Sequence, residues 1–146
     1  MANRRRWRRG RLGLVIAVAL AIACGGDNAT APVPCDTYTG GIIGSASLPG
    51  TYDLKSFCQG MKPNLVPPAA TGTVTITDVN FTADVTIEGA PSTISGAYTT
   101  SGEAITVTLA PGVLFVGTYR VTTDSLYVSG VLGSQNYALF GTRVVP

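Results

Sequence analysis

Few side chains in this sequence have chemistry to offer, and their spacing limits them further. The 146 residues include eight Asp/Glu and many serines but no histidine. Without an imidazole there is no Ser–His or Cys–His couple to activate a nucleophile. There is also no His-based metal site, and no side chain whose unperturbed pKa lies near neutrality. No Gly-x-Ser-x-Gly elbow occurs. Ser–Lys chemistry would need Lys55 or Lys62 desolvated beside a serine, yet Lys55 alternates outward in its strand pattern and Lys62 falls in a proline-rich loop. Asp84 and Glu88 share one strand face, but four residues of strand separate them by about 13 Å. Glycosidase carboxylates stand roughly 5–9.5 Å apart. These acids read as solvated surface, and the chain reads as a non-enzyme with no metal and no cofactor. From Pro63 to Tyr119 there is no Lys or Arg, while the same span holds Asp78, Asp84, Glu88 and Glu103. That charge has the wrong sign for nucleic acid or an anionic headgroup surface.

The basic residues are concentrated at the start. Six of the ten Lys/Arg (Arg4, Arg5, Arg6, Arg8, Arg9, Arg11) precede a twelve-residue apolar run, residues 12–23. A membrane span needs about 20 such residues, so the run fits the core of a signal peptide. It ends Leu20-Ala21-Ile22-Ala23-Cys24, which resembles the lipobox of bacterial lipoproteins. That resemblance implies that residues 1–23 are removed and that Cys24 becomes an acylated N-terminus (diacylglycerol, palmitate). It also implies a domain held in the periplasm at a membrane of the cell envelope. Gly25 follows the cysteine, where an aspartate would favour the inner membrane, so the outer membrane is expected. Two or three acyl chains suffice for stable anchoring. The competing reading is an ordinary secretory signal with Cys24 incidental.

Cut before Cys24, the chain keeps 123 residues with four basic and eight acidic groups, net −4, so the overall +2 belongs to the leader. Residues 25–34 (GGDNATAPVP) read as a flexible tether of roughly 30 Å, giving the segment 24–34 the role of lipidated cysteine and spacer. Two cysteines then remain, Cys35 and Cys58. An even pair in an exported chain reads as a disulfide, stabilising by roughly 3–4 kcal/mol in the chain-entropy model. The alternative, free thiols or half a metal site, has no further Cys or His to complete it.

Residues 35–146 must position whatever function remains, and from Gly50 onward they alternate with period two. Tyr52 and Leu54, Val74 and Ile76, and Phe81, Ala83, Val85 and Ile87 are each interleaved with threonine or charged residues. Ile94 and Tyr98 share a phase, as do Ile105, Val107 and Leu109, and 113–121 is apolar on both faces. Leu126 and Val128, then Tyr137 and Leu139, complete the series. Turn residues separate the runs at 78–80, 89–91, 101–102, 111–112, 123–124 and 133–134. The expectation is an all-β fold of about eight strands. Because every connection but 59–70 is hairpin-short, the strands should form an antiparallel up-and-down meander that closes into a barrel.

At this level the chain resembles the lipocalin-like barrels among bacterial envelope lipoproteins. Gly50-Thr51-Tyr52 stands where lipocalins carry Gly-x-Trp, and Arg143 stands where an arginine packs across that ring. The resemblance implies that Tyr52 and Arg143 close the barrel and that 59–70 acts as a lid over the open end. Independently, an arginine between Phe140 and Val144 needs an aromatic face or a carboxylate, such as Tyr52 or Asp53, or else points to water. The inward face offers Phe81, Val85, Ile94, Tyr98, Ile105, Val107 and Tyr119 as ligand-binding residues, with the two tyrosines as polar handles. An eight-stranded barrel either fills itself or holds one small ligand. Two functions follow: binding of a small apolar molecule, or a solid, non-enzymatic envelope module that contacts protein.

Overall fold

Threonine and β-branched residues in strict alternation favour a pleated, half-buried surface, and they build nine strands and no helix in the described residues. The computed structural model describes residues 34–145; the expected leader, Cys24 and the tether to residue 33 lie outside the described residues. The strands are β1 (Gly41–Ile42), β2 (Gly50–Gln59), β3 (Ala70–Ile76), β4 (Asn80–Ile87), β5 (Ala90–Ser101), β6 (Ala104–Leu109), β7 (Val113–Val121), β8 (Ser125–Leu132) and β9 (Gln135–Arg143).

From β2 to β9 each strand pairs antiparallel with its chain neighbours, and β9 returns to pair with β2. The result is a closed, eight-stranded, up-and-down barrel. The strand beyond the expected eight is β1, two residues that run parallel to β7 at Arg120 and Val121. It is too short to leave a periodic signal.

Two irregularities shape the wall. A bulge between Leu54 and Ser56 shifts the phase of β2, so that Leu54 and Phe57 both face inward and Cys58 faces out. Strand β5 pairs with β4 through residues 90–97 but with β6 only through 96–101. Gly96 is the changeover, and a Cβ there would collide with the Thr108 carbonyl oxygen.

The two ends of the barrel differ. The lower end, where β2 starts and β9 finishes, is solid: Leu48, Tyr52, Val121 and Leu126 are at most 4% exposed. At the opposite end the inward-facing Val85, Leu109, Phe115 and Leu139 are only partly buried.

Outside the wall, residues 35–42 form a strap. The Cys35–Cys58 disulfide fixes its start at the open end of β2. The Tyr38 backbone N–H donates to Ser129 Oγ at 2.7 Å, and the Tyr38 ring packs on Tyr127 at 5.2 Å. Tyr127 in turn stacks on Phe140 at 4.7 Å and lies under the Arg120 guanidinium at 4.4 Å. The Gly40 N–H then donates to Glu103 at 2.8 Å, and the chain turns beneath the lower end. The bridge therefore ties the start of the strap to β2.

Candidate functional site

The plug at the lower end is assembled from Tyr52, Arg143 and the backbone of residues 47–49. Tyr52 and Arg143 are register partners across the β2–β9 seam, and the guanidinium carbon lies 4.7 Å from the ring centre. Arg143 donates to the Pro49 carbonyl at 3.0 Å, to the Ser47 carbonyl, and to the Tyr52 hydroxyl. That hydroxyl donates onward to the Leu48 carbonyl at 2.8 Å. Of the sequence readings for Arg143, the aromatic face holds; Asp53 instead lies near Lys55 at 3.8 Å on the outside. Gly50 is glycine for a packing reason, since a Cβ there would overlap an Arg143 nitrogen.

Above the plug lies a cavity of about 130 Å³ whose walls present no polar surface. Phe81, Val85, Ile94, Ile105 and Val107 line it, as do Val74, Ile76 and Leu109. Alternation alone assigns these to the inner face. Leu54, Phe57, Ala83, Phe115, Val128 and Leu132 join them. Phe57 is not legible in the sequence because only the bulge turns it inward. Ile94 is 40% exposed although it faces inward, which marks the opening.

Tyr98 and Tyr119 do not line the cavity, a correction to the expected site. They share the inward phase but sit with the plug: the Tyr98 hydroxyl donates to the Thr77 carbonyl at 2.8 Å, and Tyr119 is 2% exposed within the core. Period two specifies a face and not a height along the axis, and these long side chains belong to the lower end. The polar group at the cavity is Tyr137 instead. Its ring lines the wall, and its hydroxyl accepts from Gln59 Nε2 at 3.2 Å. The same amide nitrogen donates to Gln135 at 2.8 Å.

The 59–70 segment is not a lid. Leu65 exchanges two backbone hydrogen bonds with Phe57, at 2.7 and 2.9 Å, completing the wall beyond Asp53, where β3 no longer pairs with β2. Among the described residues, none of 60–69 lines the cavity. A larger hollow of about 560 Å³ lies outside the wall near Gly96, between Asn80, Ser95 and Thr108. It is open to solvent and part polar, so it cannot desolvate a ligand as the interior does.

Electrostatically the site is quiet. Burial pushes the Tyr52 hydroxyl above its ordinary pKa, against the opposing pull of Arg143. Burial, then Asp36, does the same for Tyr38, and burial, then Asp78, for Tyr98. Asp84 accepts from Thr93 Oγ1 at 2.7 Å on the exposed outer face, and Glu88 stands in the next turn. Among the described residues no three His, Cys, Asp or Glu side chains converge as a metal set. The geometry can take an apolar group out of water; it presents no nucleophile–base pair.

No protein-family model matches the chain, and no curated protein matches it. Among solved structures it is similar to one titled as the de novo design of a fluorescence-activating beta barrel, with a TM-score of 0.45 and 19% identity over 66% of this chain and 94% of that one.

Proposed function

We propose that this protein is a lipid-anchored, lipocalin-like barrel of the bacterial cell envelope. Its domain stands in the periplasm, at the outer membrane, and it holds a small apolar molecule without transforming it. The observation that carries the reading is the one-ended cavity whose wall presents no polar surface. Apolar cavities of about 150 Å³ stay dry and accept benzene, whereas drug-sized ligands need roughly 300–1,000 Å³. At about 130 Å³ the cavity fits a single ring or a short stretch of alkyl chain, with Gln59 and Tyr137 meeting a polar end at the mouth. The leader pattern supports the anchor, and the Cys35–Cys58 bridge supports an oxidising compartment.

The test is thermal unfolding of the purified mature protein in aqueous buffer with and without dissolved benzene. A bound ligand stabilises by RT ln(1 + [L]/Kd), about 2.7 kcal/mol at a hundredfold excess over Kd. Ala83, small and on the cavity wall, supplies the blocked control: Ala83→Leu fills the space and should remove the benzene-dependent rise. An unchanged melting temperature in both forms rejects the ligand reading. Such a result favours the second reading, a protein-contact module, to which the small volume already lends weight. Cys24→Ser tests the anchor; a variant that stays acyl-labelled and membrane-bound rejects it.

A further inference from the structure

We propose that the open end of the barrel faces the lipid bilayer, with an apolar outer rim inserted at its interface, so that the cavity opens toward acyl chains. This rests on the lipid-anchor reading above, and three independent features of the described residues converge on it.

The first is where the tether attaches. Cys35 is bonded to Cys58 at the open end of β2, and its sulfur lies 3.5 Å from the Gly60 carbonyl oxygen and 3.8 Å from that of Asn136. A spacer of roughly 30 Å at full stretch thus reaches the domain on the same side as the cavity mouth. The second is the rim. Met61, Val66, Val113, Leu114, Val116 and Val131 all belong to the open half and are 41–54% exposed. Val116 and Val131 are register partners on the outer face of β7–β8, making a contiguous apolar patch of the kind that marks an interaction site.

The third is charge. Each turn at the lower end carries an acid: Asp78, Glu103 and Asp124. The four connections at the open end carry only Lys62 and Glu88, and the strap's start beside them adds Asp36. Exposed apolar residues also occur at the lower end, namely Ile42, Ile43, Val79, Val144 and Val145, but that end carries these three acids, which anionic lipid repels. A rim with few charges, of both signs, binds chiefly by burying apolar surface in the interface, so the contact needs no anionic lipid and resists salt.

The experiment places a single tryptophan on each end of the mature, acylated chain, which starts at Cys24. Trp7, the one native tryptophan, leaves with the leader, so Leu114→Trp and Val131→Trp report the rim, and Val79→Trp the lower end. All three positions are exposed, so the barrel accommodates the ring. In phosphatidylcholine vesicles with brominated acyl chains, the rim probes should shift to the blue and lose most of their emission, in low and high salt alike. The Val79 probe should do neither. A chain that sediments with the vesicles but shows equal quenching at both ends, or none at the rim, overturns the orientation and leaves the anchor standing. A chain that remains in the supernatant overturns the anchor, and the orientation with it.

Discussion

The Arg143 guanidinium covers the Tyr52 ring at 4.7 Å, and the same two residues are register partners in the seam that closes the barrel. One pair therefore does two jobs: it seals the lower end and fixes how the last strand meets the first. A slip of one residue in that seam would turn Arg143 outward and expose Tyr52, because strand side chains alternate faces.

Removing the guanidinium should therefore cost more than an exposed ion pair. Arg143→Ala leaves the Ser47 and Pro49 carbonyls without their donor, an expected loss of about 3 kcal/mol. Arg143→Lys keeps the charge without the planar fork and should lose about half of that. Gly50→Ala should resemble the lysine variant, since its Cβ would displace the Arg143 nitrogen that packs over the glycine. Urea unfolding of the three variants decides; a loss for Arg143→Ala within the range of a surface pair (about 0–1 kcal/mol) would show that the plug is ornamental.

The tyrosines predict an alkaline limit. Tyr38, Tyr52 and Tyr98 all have hydroxyls pushed above the ordinary value of 10.0, chiefly by burial. A group that holds its proton more tightly when folded contributes full stability below its unfolded pKa and loses it as pH rises beyond that point. Stability should thus be level below pH about 9 and fall above about 10. Tyr52→Phe should lower stability at neutral pH, through the lost Leu48 and Arg143 hydrogen bonds, and make the alkaline decline shallower. A decline of unchanged steepness in Tyr52→Phe would assign the limit elsewhere.

Much of this architecture is legible in the residues alone, and the gaps have physical causes. Clean alternation in 81–87 and 105–109 places Phe81, Val85, Ile105 and Val107 on the inner wall, because period two fixes a face. It cannot fix height, so it groups Tyr98 and Tyr119 with cavity residues although their rings belong to the plug. Nor does alternation survive a bulge: extended past Leu54 it puts Ser56 and Cys58 inside, whereas Phe57 is inside and Cys58 meets Cys35 outside. The proline-rich 59–70 segment reads as a lid, but its Leu65–Phe57 pairing is a single bridge that folds the chain back on β2, too short to leave a periodic signature.

The disulfide closes a loop over a sequence separation of 23, and in the chain-entropy account that is worth about 3 kcal/mol. Its position gives a second expectation. Cutting it with Cys35→Ser and Cys58→Ser frees the strap's start but leaves Tyr38 on Tyr127 and Gly40 on Glu103. Amide exchange should accelerate first at residues 35–38 and only slightly in β8. Uniform acceleration around the whole barrel would mean that the bridge acts on global stability alone.

A last expectation concerns the β4–β5 hairpin. Ile87 and Ala90 are paired across a two-residue turn, and its residues Glu88 and Gly89 have φ of 50° and 84°. Positive φ at both central positions is the type I′ arrangement, which matches strand twist and favours Asn-Gly. Glutamate is poorly suited to the left-handed region, whereas asparagine bonds locally and tolerates it. Glu88 is exposed and its side chain makes no hydrogen bond among the described residues; its backbone N–H donates to the Ala69 carbonyl at 2.7 Å, a bond any residue there would keep, so the glutamate side chain itself does not offset the strain. Glu88→Asn should therefore raise stability by about 0.5 kcal/mol, and Glu88→Val should lower it by about 1 kcal/mol, because a β-branched residue is worst in that region. The cavity lies beneath this hairpin but Glu88 does not line it, so benzene binding should be unchanged in both variants. A change in binding without a change in stability would place the hairpin tip in the ligand's path.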